Sequence, residues 1–196
     1  MSDAGSAFYF DLASPEAYLA AERILQLMPV STPWVPVLER DLRGGGAFEG
    51  FRCAEERDIA MQAVERRAAE RGLQPVRWPD PLPFDSAFAM RAATFARQIG
   101  RTVAFAQAAF RQAYAGGRAL DVPDNVLIAG SACEMHPAAV LRAAELRSVR
   151  EALAAATAEA AARGVRSTPA VWVAGEAFHG DDALGDAAEA ARAVRA

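Results

Sequence analysis

The 196-residue chain contains no lysine at all, so every one of its 21 basic side chains is an arginine. A site that relies on a lysine ammonium to meet a ligand carboxylate has no such residue here. Cysteine and histidine are nearly as scarce, with two of each. Cys53 and Cys133 form no CxxC and no Cys/His metal spacing, so neither a paired redox centre nor a zinc site is expected. Both are expected to be free, inert thiols. No run is apolar enough to span a bilayer, and Met1–Ser6 lacks a charged-then-apolar leader, so a cytoplasmic setting is expected. Gly44-Gly45-Gly46 lacks the context of a phosphate loop. The formal charge of −4 gives no reason to bind nucleic acid or an anionic membrane.

What is present is a core-building composition, 53% hydrophobic, arranged in a strand–helix grammar. Phe8, Tyr9, Phe10 and Leu12 read as a buried strand. Ser14-Pro15-Glu16-Ala17 opens a helix, with Ser14 as N-cap, Pro15 at the first helical position and Glu16 near the positive dipole end. Ala17, Ala21, Ile24, Leu25 and Met28 continue it as one apolar face. Trp34–Leu38 is a second strand, expected to lie at a sheet edge or to contain an irregularity because Pro36 cannot donate to a ladder. Helical signals then occupy about 53–147, interrupted by the proline-rich loop Trp78–Asp85. His136 is read as the N-cap of a helix beginning at Pro137, and Ser148 with Glu151 as a capping box. A buried strand over Ala170–Ala174, a type II′ turn at Gly175-Glu176 and a return strand to His179 follow. Asp181 and Asp182 are expected to open the last helix.

This pattern predicts an α/β protein. Residues 1–46 and 148–196 form a βαβ unit and a ββα unit, around an all-α subdomain spanning 47–147. The strand-to-helix turn at Ser14 is the expected site, because free N–H groups at a helix N-terminus favour anions and thiolates.

The blocks FYFDLASPEAYLA, GLQPVRWPDPLP and ARGVRSTPAVWVAGEAFHGDDAL resemble the DsbA-like thioredoxin-fold family. The likeness is to the branch of 2-hydroxychromene-2-carboxylate isomerases and kappa-class glutathione transferases. Where dithiol members carry CxxC, this chain reads Ser14-Pro15-Glu16-Ala17, which removes both the nucleophile and the resolving thiol of disulfide exchange. The resemblance implies glutathione as cofactor, with Ser14 donating to its sulfur. It also implies a cis Thr168-Pro169 bond, with the Thr168 N–H and C=O exposed for the cysteinyl backbone, and Asp182 pairing with the γ-glutamyl ammonium. The implied activity is isomerisation of a conjugated small-molecule acid; the alternatives are a kappa-like transferase and a non-catalytic binding protein.

Departures from the family pattern predict weak binding. Ala183 stands where the family has Arg, Asp181 adds a charge that would repel the γ-glutamyl carboxylate, and Asp85 replaces an Asn. With no lysine, only Arg52 or Arg57 lies near the expected glycyl-carboxylate contact. His179 is expected beside the site as a surface histidine. Trp78, Phe84 and Phe88 are assigned to subdomain core. Expected partners are a small-molecule substrate and a second copy of the chain; no metal is expected.

Overall fold

The computed structural model describes residues 5–44, 51 and 53–194; Gly45, Gly46 and Arg52 lie outside them. β1 (Ala7–Phe10) leads into α1 (Pro15–Ala21) and a short α2 (Ile24–Leu27). β2 (Trp34–Pro36) is followed by a 3-10 turn at Glu39–Asp41. The helical block comprises α3 (Ala54–Glu70), α4 (Ala87–Gln98), α5 (Thr102–Tyr114), α6 (Pro123–Ser131) and α7 (Pro137–Glu145). α8 (Arg147–Ala162), the hairpin β3 (Ala170–Val173) and β4 (Glu176–His179), and α9 (Leu184–Ala193) complete the chain.

The sheet order is β2-β1-β3-β4. β1 runs parallel to β2 and antiparallel to β3. β2 is therefore an edge strand, where Pro36 is tolerated. Alternation along β1 divides the core. Phe8 and Phe10 face a large cluster with Trp34, Tyr18, Phe105 and Phe110, while Tyr9 faces a smaller one with Val37, Ala160 and Val165. The large cluster takes in strand residues and the helical block alike, including Val64 and Ala68 of α3.

Several local expectations change. The first helix breaks after Ala21, where Arg23 N–H turns to the i−3 carbonyl of Ala20 (3.0 Å). The Ser148 capping box does not form. α8 starts at Arg147, and Leu146, extended at φ −65° and ψ 133°, serves as both C-cap of α7 and N-cap of α8. Ser148 is thus already helical. The hairpin turn is Ala174-Gly175, with φ of 57° and 84°, closing Val173 opposite Glu176. Two positive φ values match a type I′ rather than a II′ turn. α9 begins at Leu184, which leaves Asp181 and Asp182 in the preceding turn. His136 does cap α7, its Nδ1 accepting from Ala138 N–H (3.2 Å).

Candidate functional site

Three segments meet beyond the end of β1: the turn Asp11–Ser14, the stretch Glu39–Gly44 after β2, and Arg166–Pro169 before β3. The first is shaped by Asp11, whose carboxylate accepts from the N–H groups of Ala13 and Glu39 (both 2.9 Å) and from the Ser86 hydroxyl. Burial pushes the Asp11 carboxyl above its ordinary range, and those three donors oppose the shift. Asp11 thereby fixes two loops at once.

Ser14 is the N-cap of α1, its Oγ accepting from Ala17 N–H (3.2 Å). The same hydroxyl donates to the Thr168 carbonyl (3.1 Å). Thr168-Pro169 is cis, so Ser14, Thr168 and Pro169 come together. They are closed, however. Ser14 is 0% and Thr168 3% exposed, and Thr168 N–H donates to Glu39 Oε1 (2.6 Å). The Thr168 main-chain groups expected to be exposed are therefore both engaged, because a buried N–H and C=O must find partners inside the protein. Among the described residues, buried Thr168 Oγ1 and the buried hydroxyl of Tyr114 have no hydrogen-bond partner. The Tyr114 phenol is pushed well above its ordinary range by burial, then by Asp11 and Glu39.

Beside this group lies an ionic cluster. Gly180 N–H donates to the Pro169 carbonyl (2.9 Å), which brings Asp181 and Asp182 next to the cis-proline loop. Asp181 is wholly buried. Arg67 reaches its Oδ1 (2.5 Å) and Arg71 its Oδ2, while Arg23 Nη1 donates to its main-chain carbonyl (3.4 Å). Arg67 also pairs with Glu16 (2.8 Å) on α1, and Arg71 with Asp182. Asp181 is not the unpaired charge from which repulsion was expected, since Arg67 and Arg71 both pair with it. Asp182 keeps its side chain 73% exposed, open to a ligand.

Arg67 and Arg71 lie at the C-terminal end of α3, where basic residues suit the helix dipole. Their spacing held another signal: Val64, Arg67, Ala68 and Arg71 share one helical face, and Val64 and Ala68 are buried. Glu39, Asp11, Ser86 and Tyr114 were missed as well. Asp85, by contrast, pairs with Arg40 (3.0 Å) and caps Ala87 N–H (2.9 Å). Arg57 is exposed on α3. Phe84 is core, with Trp78 and Phe88 packed against it. Cys53 is exposed and Cys133 buried; burial pushes the Cys133 thiol up. Among the described residues no group of three or more His, Cys, Asp or Glu could hold a metal ion.

His179 joins the loop from below, its Nε2 accepting from Arg166 N–H (3.0 Å). Burial, and secondarily the Arg166 charge, hold it below the ordinary value of 6.5. The folded state therefore favours the neutral ring, and the unfolded chain takes the proton first. Stability should be full above that ordinary value and decline as pH falls through it. Melting temperatures between about pH 7 and 5.5 should fall less steeply for His179→Gln than for the parent; parallel curves would show that His179 does not contribute.

The DSBA-like thioredoxin domain family model matches residues 7–191. The chain belongs to that family. Among solved structures, 2-hydroxychromene-2-carboxylate isomerase aligns over 97% of this chain and 95% of its own, with TM-score 0.84 and 18% identity. A probable DsbA oxidoreductase from Streptomyces coelicolor aligns over 97% and 91%, with TM-score 0.76 and 18% identity. The cytosolic disulfide reductase DsbM from Pseudomonas aeruginosa, solved with GSH, aligns over 97% of each chain, with TM-score 0.67 and 17% identity. None of the curated proteins matches. At these identities the likeness establishes the thioredoxin-like fold of the DsbA type. Within that family frame, this chain has a hydroxyl at the N-terminus of α1, and its thiols are at Cys53 and Cys133.

Proposed function

We propose that this DsbA-family protein is a glutathione-dependent isomerase of the 2-hydroxychromene-2-carboxylate type, acting on a conjugated small-molecule acid. The observation that carries the reading is the Ser14 hydroxyl at the N-terminus of α1, 3.1 Å from the Thr168 carbonyl, in the place of a sulfur. The charged surroundings fit the amino-acid end of glutathione. Asp182 offers an exposed carboxylate to an ammonium. When bound, glutathione supplies the sulfur nucleophile. The helix N-terminus and the Ser14 hydroxyl favour its ionised form. A small-molecule substrate, a homodimer and a cytoplasmic setting are part of this reading; no helix among the described residues is long and apolar enough to cross a membrane.

Glutathione titration by calorimetry tests it. A dissociation constant between about 0.1 and 1 mM is expected, roughly −5.5 to −4 kcal/mol; no heat at any concentration would remove the cofactor. Isomerisation without loss of glutathione separates this activity from a kappa-like transferase, which would consume it. A non-catalytic binding protein that has lost its glutathione contacts is the second reading, favoured by the complete burial of Ser14; the absence of detectable glutathione binding would select it. The same chemistry predicts redox silence. With Ser14 and Ala17 in place of paired thiols, the protein should neither reduce insulin disulfides nor oxidise dithiol peptides. Turnover that persists in Cys53→Ser/Cys133→Ser would contradict this.

A further inference from the structure

We infer that Glu39 is a specificity-determining residue whose carboxylate occupies the main-chain N–H on which an extended peptide would dock, so that the site excludes strand-like pairing. An extended peptide binds a protein edge by alternating main-chain hydrogen bonds. Next to Ser14 the candidate edge is Arg166–Pro169, and the chain's own groups already hold it. Arg166 N–H donates to His179 and its carbonyl accepts from Gly44 N–H (2.7 Å). Thr168 N–H donates to Glu39 and its carbonyl accepts from Ser14. Pro169 has no N–H, and its carbonyl accepts from Gly180.

The stretch Glu39–Gly44 thus lies along the loop, bonded at both ends. Its close approach is built into Gly44, where an added Cβ would fall 2.3 Å from the Arg166 carbonyl oxygen. At the other end Glu39 is anchored by its own N–H on Asp11 Oδ2 (2.9 Å) and by the 3-10 turn that Leu42 N–H closes on its carbonyl (2.9 Å). The Thr168–Glu39 bond joins an amide to a carboxylate, a stronger pairing than a neutral peptide carbonyl can offer in exchange. A ligand carbonyl would have to displace a side chain that is 4% exposed and leave it without this partner. Binding of a charged end group at the exposed Asp182 carboxylate requires no such displacement. Excluding the peptide main chain while accepting charged ends favours a small thiol cofactor over a protein disulfide.

In its choice of probe this inference rests on the glutathione reading, and S-methylglutathione is the probe. Glu39→Ala frees Thr168 N–H and should tighten S-methylglutathione about tenfold by calorimetry, equivalent to about 1.4 kcal/mol. Glu39→Gln keeps an Oε1 acceptor but loses the charge, so it should tighten the ligand by less than Glu39→Ala does. In the parent, the Thr168 amide should keep its exchange rate when the ligand is added; in Glu39→Ala it should become protected only with ligand. A folded Glu39→Ala with unchanged affinity, or Glu39→Gln tightening as much as Glu39→Ala, would overturn the inference. Should Glu39→Ala fail to fold, ligand-dependent protection of Thr168 in the parent would overturn it, and an unchanged rate would support it. Binding by Glu39→Ala alone would sustain it while removing the glutathione reading for the parent. Equal tight binding by both would do the reverse, and silence from both would remove both.

Discussion

Asp181→Ala is expected to lower unfolding stability by about 3–5 kcal/mol, the cost of removing one partner from a buried ion pair. For a chain of this length that is a melting-temperature drop of roughly 6–20 °C. The cost arises from what remains. Arg67 and Arg71 keep only 21% and 14% of their side chains exposed, so water cannot replace the lost carboxylate. Arg71 is already held below the ordinary guanidinium range by burial, then by Arg23 and Arg67, with Asp182 opposing. Removing Asp181 leaves three guanidinium groups facing Glu16 and Asp182. The comparison is Asp182→Ala. Its carboxylate is 73% exposed, and its loss should cost about 1 kcal/mol or less. Equal melts for the two variants would mean that Asp181 is not the centre of the cluster.

The contrast between these neighbours marks what a sequence can convey. Ser14-Pro15 announced its helix start because an N-cap and a first-turn proline act within four residues, and Ser14 does accept from Ala17. Thr168-Pro169 was legible through the family pattern around it. Asp181 was misjudged because its partners lie 114 and 110 positions earlier in the chain, and charge alone says nothing of what stands opposite. The spacing of Val64, Arg67, Ala68 and Arg71 held the clue that two arginines shared a buried face.

Glu39 had no local clue. Its bond to Thr168 spans 129 positions and depends on the sheet order bringing the ends of β2 and β3 to either side of β1. The hairpin failed by one residue for a different reason. Ala174 takes φ 57°, a conformation that alanine rarely adopts, so composition pointed to Gly175-Glu176. Pairing of Val173 with Glu176 decided the turn. Ser148 lost its cap because Leu146 already held the extended position between two adjoining helices.

Ser14→Ala should show two separable effects, and the geometry makes the first larger than capping alone predicts. Loss of an N-cap costs about 1 kcal/mol. Here the hydroxyl also satisfies the Thr168 carbonyl, in a residue 3% exposed. Leaving a buried acceptor without its partner costs about 1–3 kcal/mol. A total of about 2–4 kcal/mol is expected from denaturant titration, and a value of about 1 would indicate that the Thr168 bond contributes nothing. The second effect concerns the proposed chemistry. A hydroxyl has one proton, and Ser14 directs it to Thr168 in the free protein, so donation to a bound thiolate requires it to turn away from that carbonyl. The gain in the thiolate state is then the difference between two hydrogen bonds, smaller than a free hydroxyl would provide. Charge assistance still favours the sulfur. Turnover should therefore fall by about one to two orders of magnitude in Ser14→Ala, and saturating glutathione should not restore it. The deciding measurement is thiolate absorbance of the glutathione complex against pH. A curve displaced to higher pH in Ser14→Ala assigns the hydroxyl to the thiolate, whereas coincident curves would confine Ser14 to tying α1 to the cis-proline loop.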